Sequence, residues 1–115
     1  MSEAPSVTRQ YTRACALREV VEGAARRYVI DDTPVAIVRS EGEMYAIYDV
    51  CSHENIPLSE GEVYDGGIEC WLHGSCFDLR TGEPTSLPAT ESVPVYPVKI
   101  EGDDVFVAVT EEQPT

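Results

Sequence analysis

The sequence predicts an all-β domain, a sandwich or a barrel, on three observations. Short runs rich in Val, Ile and Tyr recur along the chain, about eight or nine of them. Turn signals separate them at intervals of roughly eight to twelve residues. At 115 residues the chain is long enough for one domain with a single modest core. It contains no internal repeat and no G-x-G-x-x-G phosphate loop.

Taken in order, Met1 to Gln10 reads as a disordered tail. Tyr11 to Leu17 reads as a first strand, with Tyr11, Arg13, Cys15 and Leu17 on one face. Leu17 to Ala24 is a connection with helical potential that Gly23 ends early. Arg26 to Ile30 is a short strand, and Asp31 to Pro34 form a turn. Pro34 to Arg39 is rich in β-branched residues and reads as a buried strand. After a hairpin turn at Ser40 to Glu43, Met44 to Val50 form a strand whose end delivers Cys51. Glu62 to Tyr64 and Gly67 to Trp71 read as strands around a turn at Asp65 to Gly67, the second delivering Cys70. Ser75 to Leu79 returns as a strand. Gly82 to Pro88 is a loop stiffened by two prolines. Tyr96 to Ile100 and Val105 to Val109 form a hairpin around a turn at Glu101 to Asp104. The stretch after Thr110 is an acidic tail, so the domain spans about residues 11–110, with 1–10 and 111–115 outside it.

The chain is acidic, with a formal net charge of −13. The charge is uneven. Residues 1–40 carry six Arg against five acids, whereas residues 41–115 carry Arg80 and Lys99 against sixteen acids. Nucleic acid and anionic membrane are poor partners for such a surface, and a basic protein is a good one. No apolar run approaches the ~18 residues of a membrane span, and the polar N-terminus lacks a signal-peptide core. A cytoplasmic protein is expected, with Cys15 and Cys76 as free thiols in a reducing compartment.

Chemistry concentrates between Cys51 and Asp78. Cys51-Ser-His53 is followed after sixteen residues by Cys70-Trp-Leu-His73. These are the only two histidines of the chain, with two of its four cysteines. Thiolate and imidazole together suit zinc or an iron–sulfur cluster. Zinc sites of this composition usually pair two Cys and then two His, whereas here each half supplies one of each. That arrangement fits a [2Fe–2S] centre with one iron on two thiolates and the other on two imidazoles. A zinc-stabilised structural or interaction module is the rival from a different class.

From about Tyr11 to Val109 the chain resembles the Rieske-type [2Fe–2S] ferredoxins, the ferredoxin components of bacterial ring-hydroxylating dioxygenase systems. The residues that carry the resemblance are Cys51-Ser-His53, Cys70-Trp-Leu-His73-Gly-Ser-Cys-Phe-Asp78, Arg80-Thr-Gly82, Leu87-Pro-Ala89 and Tyr96-Pro-Val-Lys-Ile100. The resemblance implies an antiparallel β-sandwich base with an inserted cluster-binding subdomain, about residues 49–79. By that pattern Cys51 and Cys70 hold the inner iron and His53 and His73 the exposed outer one. Ser75 donates to a bridging sulfide, and Gly82 to Pro88 form a third loop over the cluster. Respiratory relatives place a disulfide where this chain has Ile56 and Leu72, and a Tyr where it has Phe77. Losing that hydroxyl implies a potential near the low end of the Rieske range, about −150 mV.

The function implied is one-electron transfer from an NAD(P)H-dependent flavoprotein reductase to a terminal non-haem iron oxygenase, by a carrier that is not itself an enzyme. The small Rieske subunit of an assimilatory nitrite reductase is the alternative. Trp71 and Phe77 are expected to shield the cluster, with a plain core role as the alternative for Trp71; Cys76 reads as shielding and Cys15 as core. Glu54, Glu60, Glu62, Asp65 and Glu69 are candidate docking contacts.

Overall fold

The computed structural model describes residues 11–51, 56–64, 66–71, 74–87 and 89–109. The described residues form three antiparallel sheets. The middle sheet has four strands: β2 (Ala25–Ile30), β3 (Thr33–Ser40), β4 (Glu43–Tyr48) and β8 (Val95–Tyr96), in the order β2-β3-β4-β8. Against one face lies a sheet of β1 (Thr12–Ala16), β10 (Asp104–Val107) and β9 (Val98–Glu101). On the other side is a small sheet of β5 (Glu62–Tyr64), β6 (Gly67–Glu69) and β7 (Cys76–Asp78).

The period-2 alternation of β3 and β4 builds two cores from one sheet. Ala36, Val38 and Ile47 face the small sheet and pack with Leu58, Ile68, Phe77 and Leu79. Val35, Ile37 and Ala46 face the other way and pack with Cys15, Val20, Tyr96, Val105 and Val107. A strand covered on both faces must be apolar on both, which is why β3 carries an almost continuous β-branched run. The hairpin turns are tight: Asp31 and Asp32 join β2 to β3 at φ 51° and 64°, and Glu41 and Gly42 join β3 to β4 at φ 54° and 81°. Glu22 caps the second turn, accepting the Glu41 N–H at 2.6 Å and the Gly42 N–H at 3.0 Å.

Three expectations are corrected. The expected strand from Tyr96 to Ile100 is two strands in different sheets, β8 and β9, divided at Pro97. Proline has no N–H for a ladder, so the pairing with β4 stops after Tyr96 and the chain crosses to the β1-β10-β9 sheet. The strand before Cys51 ends at Tyr48 rather than Val50: the Asp49 N–H still reaches its register partner, the Pro34 carbonyl (2.9 Å), but Pro34 has no N–H to return and the ladder stops there. The strand before Cys70 ends at Glu69 rather than Trp71. In the connection after β1, helical geometry is confined to one 3₁₀ turn, Leu17–Glu19. No helix among the described residues is long and apolar enough to cross a membrane.

Candidate metal centre

Two of the four predicted ligands, Cys51 and Cys70, are described; His53 and His73 lie outside the described residues, as do Glu54, Asp65 and Leu72. Cys51 follows β4, and its N–H donates to the Ile56 carbonyl at 2.9 Å, closing the first loop on itself. Cys70 directly follows β6. Its N–H donates to the Ser75 carbonyl at 2.7 Å, and its own carbonyl accepts the Gly74 N–H at 2.9 Å. Both cysteines are buried, 3% and 1% exposed, in the same apolar core between the middle and small sheets. Two thiols nineteen positions apart in the chain thus belong to one buried apolar cluster, each at the start of a loop that carries a sequence-predicted histidine.

The stretch expected as the third loop is tied to β7 and to Gly74. The Thr85 N–H donates to the Cys76 carbonyl at 2.7 Å. The Ser86 hydroxyl accepts the Cys76 N–H at 2.9 Å and donates to the Gly74 carbonyl at 3.2 Å. Pro84 bridges to Phe77. Ser75 is fully buried, and its Oγ accepts the Ala89 N–H at 3.0 Å, which leaves the hydroxyl proton to donate elsewhere. Phe77 is fully buried in the same cluster as both cysteines and brings no hydroxyl to it.

The other sequence-predicted residues are placed as follows. Trp71 is 54% exposed, so the core role is corrected: it follows Cys70 at a turn and stands out from the surface. Cys76 is not a shield. Alternation along β7 sends Phe77 to the core and Cys76 to the opposite face, where its Sγ lies 3.4 Å from the Tyr64 hydroxyl. Tyr64 donates in turn to Glu69 at 2.9 Å, which ties up one of the expected docking acids, while Glu60 and Glu62 are exposed. Cys15 belongs to the other core, where burial pushes its thiol up from the ordinary cysteine range. Cys15 and Cys76 are free thiols.

Asp49 is the residue that sequence reasoning missed. Its carboxylate is fully buried and accepts both the N–H and the hydroxyl of Ser59, at 2.6 and 2.7 Å. Arg27 Nε lies 3.3 Å away. Burial pushes the carboxyl up, against the pull of Ser59 and Arg27. An acid at the end of an otherwise apolar run, just before a predicted ligand cysteine, was the available signal.

The donor set fits an iron–sulfur centre. Buried thiolates are costly unless a cation compensates them, and iron supplies one. The Rieske [2Fe-2S] domain family matches residues 10–97. This chain belongs to that family. Its cofactor is the Rieske [2Fe–2S] cluster, and the three-sheet architecture is the Rieske fold. The chain is 47% identical over 103 residues to the 3-phenylpropionate/cinnamic acid dioxygenase ferredoxin subunit of Escherichia coli K12, covering 88% of this chain and 95% of that one. Among solved structures it is similar to the ferredoxin of carbazole 1,9a-dioxygenase from Nocardioides aromaticivorans IC177, with TM-score 0.84, 34% identity and 87% and 98% of the two chains covered. It is also similar to a chain in the complex of reduced oxygenase and oxidized ferredoxin in carbazole 1,9a-dioxygenase, at TM-score 0.80 and 33% identity, with 88% and 94% covered. The nitrite reductase alternative has less support: a putative NADH-dependent nitrite reductase small subunit from Mycobacterium tuberculosis shares 26% identity at TM-score 0.81, with 91% and 99% covered.

Proposed function

We propose that this chain is the ferredoxin of a ring-hydroxylating dioxygenase system, carrying single electrons to a terminal non-haem iron oxygenase. The observation that carries the reading is the 47% identity over nearly the full length of a dioxygenase ferredoxin subunit, whose name marks an electron-transfer component rather than a catalytic one. An NAD(P)H-dependent flavoprotein reductase is the donor in this reading. The two free thiols, Cys15 and Cys76, favour a reducing cytoplasm as its place of work.

In this reading Cys51 and Cys70 hold one iron and His53 and His73 the other. The bound cluster takes up and gives back one electron. The residues around it set its environment. Cys51 and Cys70 keep its thiolate side dry, and the third loop seals it through Ser86 and Thr85. Ser75 has its proton available for a sulfur, and Phe77 offers none. One hydroxyl donor instead of two places the potential near the low end of the Rieske range, about −150 mV.

The test is an EPR spectrum of the dithionite-reduced protein with iron and zinc analysis of the same sample. A Rieske-type signal with about two irons per chain is expected. A colourless, EPR-silent protein holding zinc would overturn the reading in favour of a structural zinc module.

A further inference from the structure

The charge pair beside the first ligand loop points beyond loop closure. Asp49 precedes Cys51 by two residues, so their Cα atoms are at most about 7 Å apart. Its carboxylate is wholly excluded from solvent. Oδ1 accepts the Ser59 N–H, and Oδ2 accepts the Ser59 hydroxyl and faces the Arg27 guanidinium. All of these partners are donors, an environment built for a carboxylate anion rather than a neutral acid. Arg27 comes from β2, and its side chain is half exposed. Ser59 lies in the 3₁₀ turn Leu58–Glu60, at the far end of the loop that starts at Cys51.

A fixed anion in a dry interior acts on a neighbouring redox centre with little screening. Adding an electron next to it is disfavoured. A cation paired with the anion removes part of that effect. We propose that the Asp49–Arg27 pair sets the reduction potential of the centre, Asp49 holding it down and Arg27 offsetting part of the effect. Asp49 is a positioning residue as well, since its grip on Ser59 spans the Cys51 loop. The proposal rests on the assignment of Cys51 as a ligand.

The experiment is a redox titration of the cluster-loaded wild type, Asp49→Asn and Arg27→Gln, with iron content measured on each. For a unit charge at roughly 10 Å and an effective dielectric near 20, the one-electron equilibrium shifts on the order of tenfold, which is about 59 mV. Asp49→Asn is expected to shift the potential upward. Arg27→Gln is expected to shift it downward by less, because Arg27 is partly solvated. A purely structural pair would lower iron content without moving the potentials in opposite directions. Unchanged potentials, or shifts of the same sign, overturn the proposal. If Asp49→Asn fails to hold the cluster, Arg27→Gln decides alone: a downward shift supports the proposal and no shift overturns it. A wild type without two irons or a Rieske signal overturns the ligand assignment and this proposal with it, whereas an intact wild-type signal with unmoved variants overturns this proposal only.

Discussion

At the scale of single residues, the buried hydroxyls separate two roles. Ser75 accepts the Ala89 N–H and keeps a proton to give. Ser75→Ala is expected to lower the reduction potential and to cost about 1–3 kcal/mol of stability, since the Ala89 N–H loses its acceptor. Redox titration and urea unfolding measure the two effects separately. The Tyr96 hydroxyl is also buried, but finds no hydrogen-bond partner among the described residues. Burial pushes its pKa up to about 12 from an ordinary 10.0. Between those values the unfolded chain loses this proton while the native chain keeps it, so stability falls as pH rises through that window. Two units correspond to at most about 2.7 kcal/mol. Tyr96→Phe should remove this alkaline loss and be no less stable near neutrality. Urea unfolding at about pH 8 and about pH 11 checks both; an equally steep alkaline loss in the variant would refute the assignment to Tyr96.

At the scale of elements, the loops that carry the predicted ligands are closed by backbone hydrogen bonds within each loop, and the third loop is tied to β7 and to Gly74 at the end of the second. Gly82 is the hinge of that third loop. It has φ 78°, its N–H donates to Asp78 at 2.7 Å, and its carbonyl accepts the Val93 N–H at 2.9 Å. A Cβ there would collide with the Val93 carbonyl. Gly82→Ala combines a left-handed backbone with this clash and should cost about 1–3 kcal/mol or more. Faster iron loss is expected to accompany the lower melting temperature. A variant that melts like the wild type would show that the loop tolerates a different path.

At the scale of the whole molecule, charge governs encounter. Sixteen acids against two basic residues in positions 41–115 favour a partner with a basic rim. Electron transfer to the oxygenase should slow as salt rises from about 0.05 to 0.5 M, while the EPR signal stays unchanged. Stopped-flow rates that are flat with ionic strength would remove the docking role of these acids.

The sequence by itself determined the class and the chemistry. Alternating β-branched runs determined an all-β molecule, because period-2 burial needs no knowledge of neighbours. The spacing of Cys51, His53, Cys70 and His73 pointed to a mixed thiolate–imidazole site, because ligand type and order are read directly from the chain. Tertiary structure decided the rest. Tyr96 to Ile100 reads in sequence as one strand, and only the packing of three sheets decided that the chain would change sheets at Pro97. Trp71 and Cys76 both read as candidates to shield the site; the turn after Cys70 leaves Trp71 exposed, and the alternation of β7 turns Cys76 away from the core. In sequence Asp49 is one position of the run from Met44 to Val50. It became a buried anion only because β2 brings Arg27 and the 3₁₀ turn brings Ser59 to the same point, a meeting of three distant segments that no local pattern encodes.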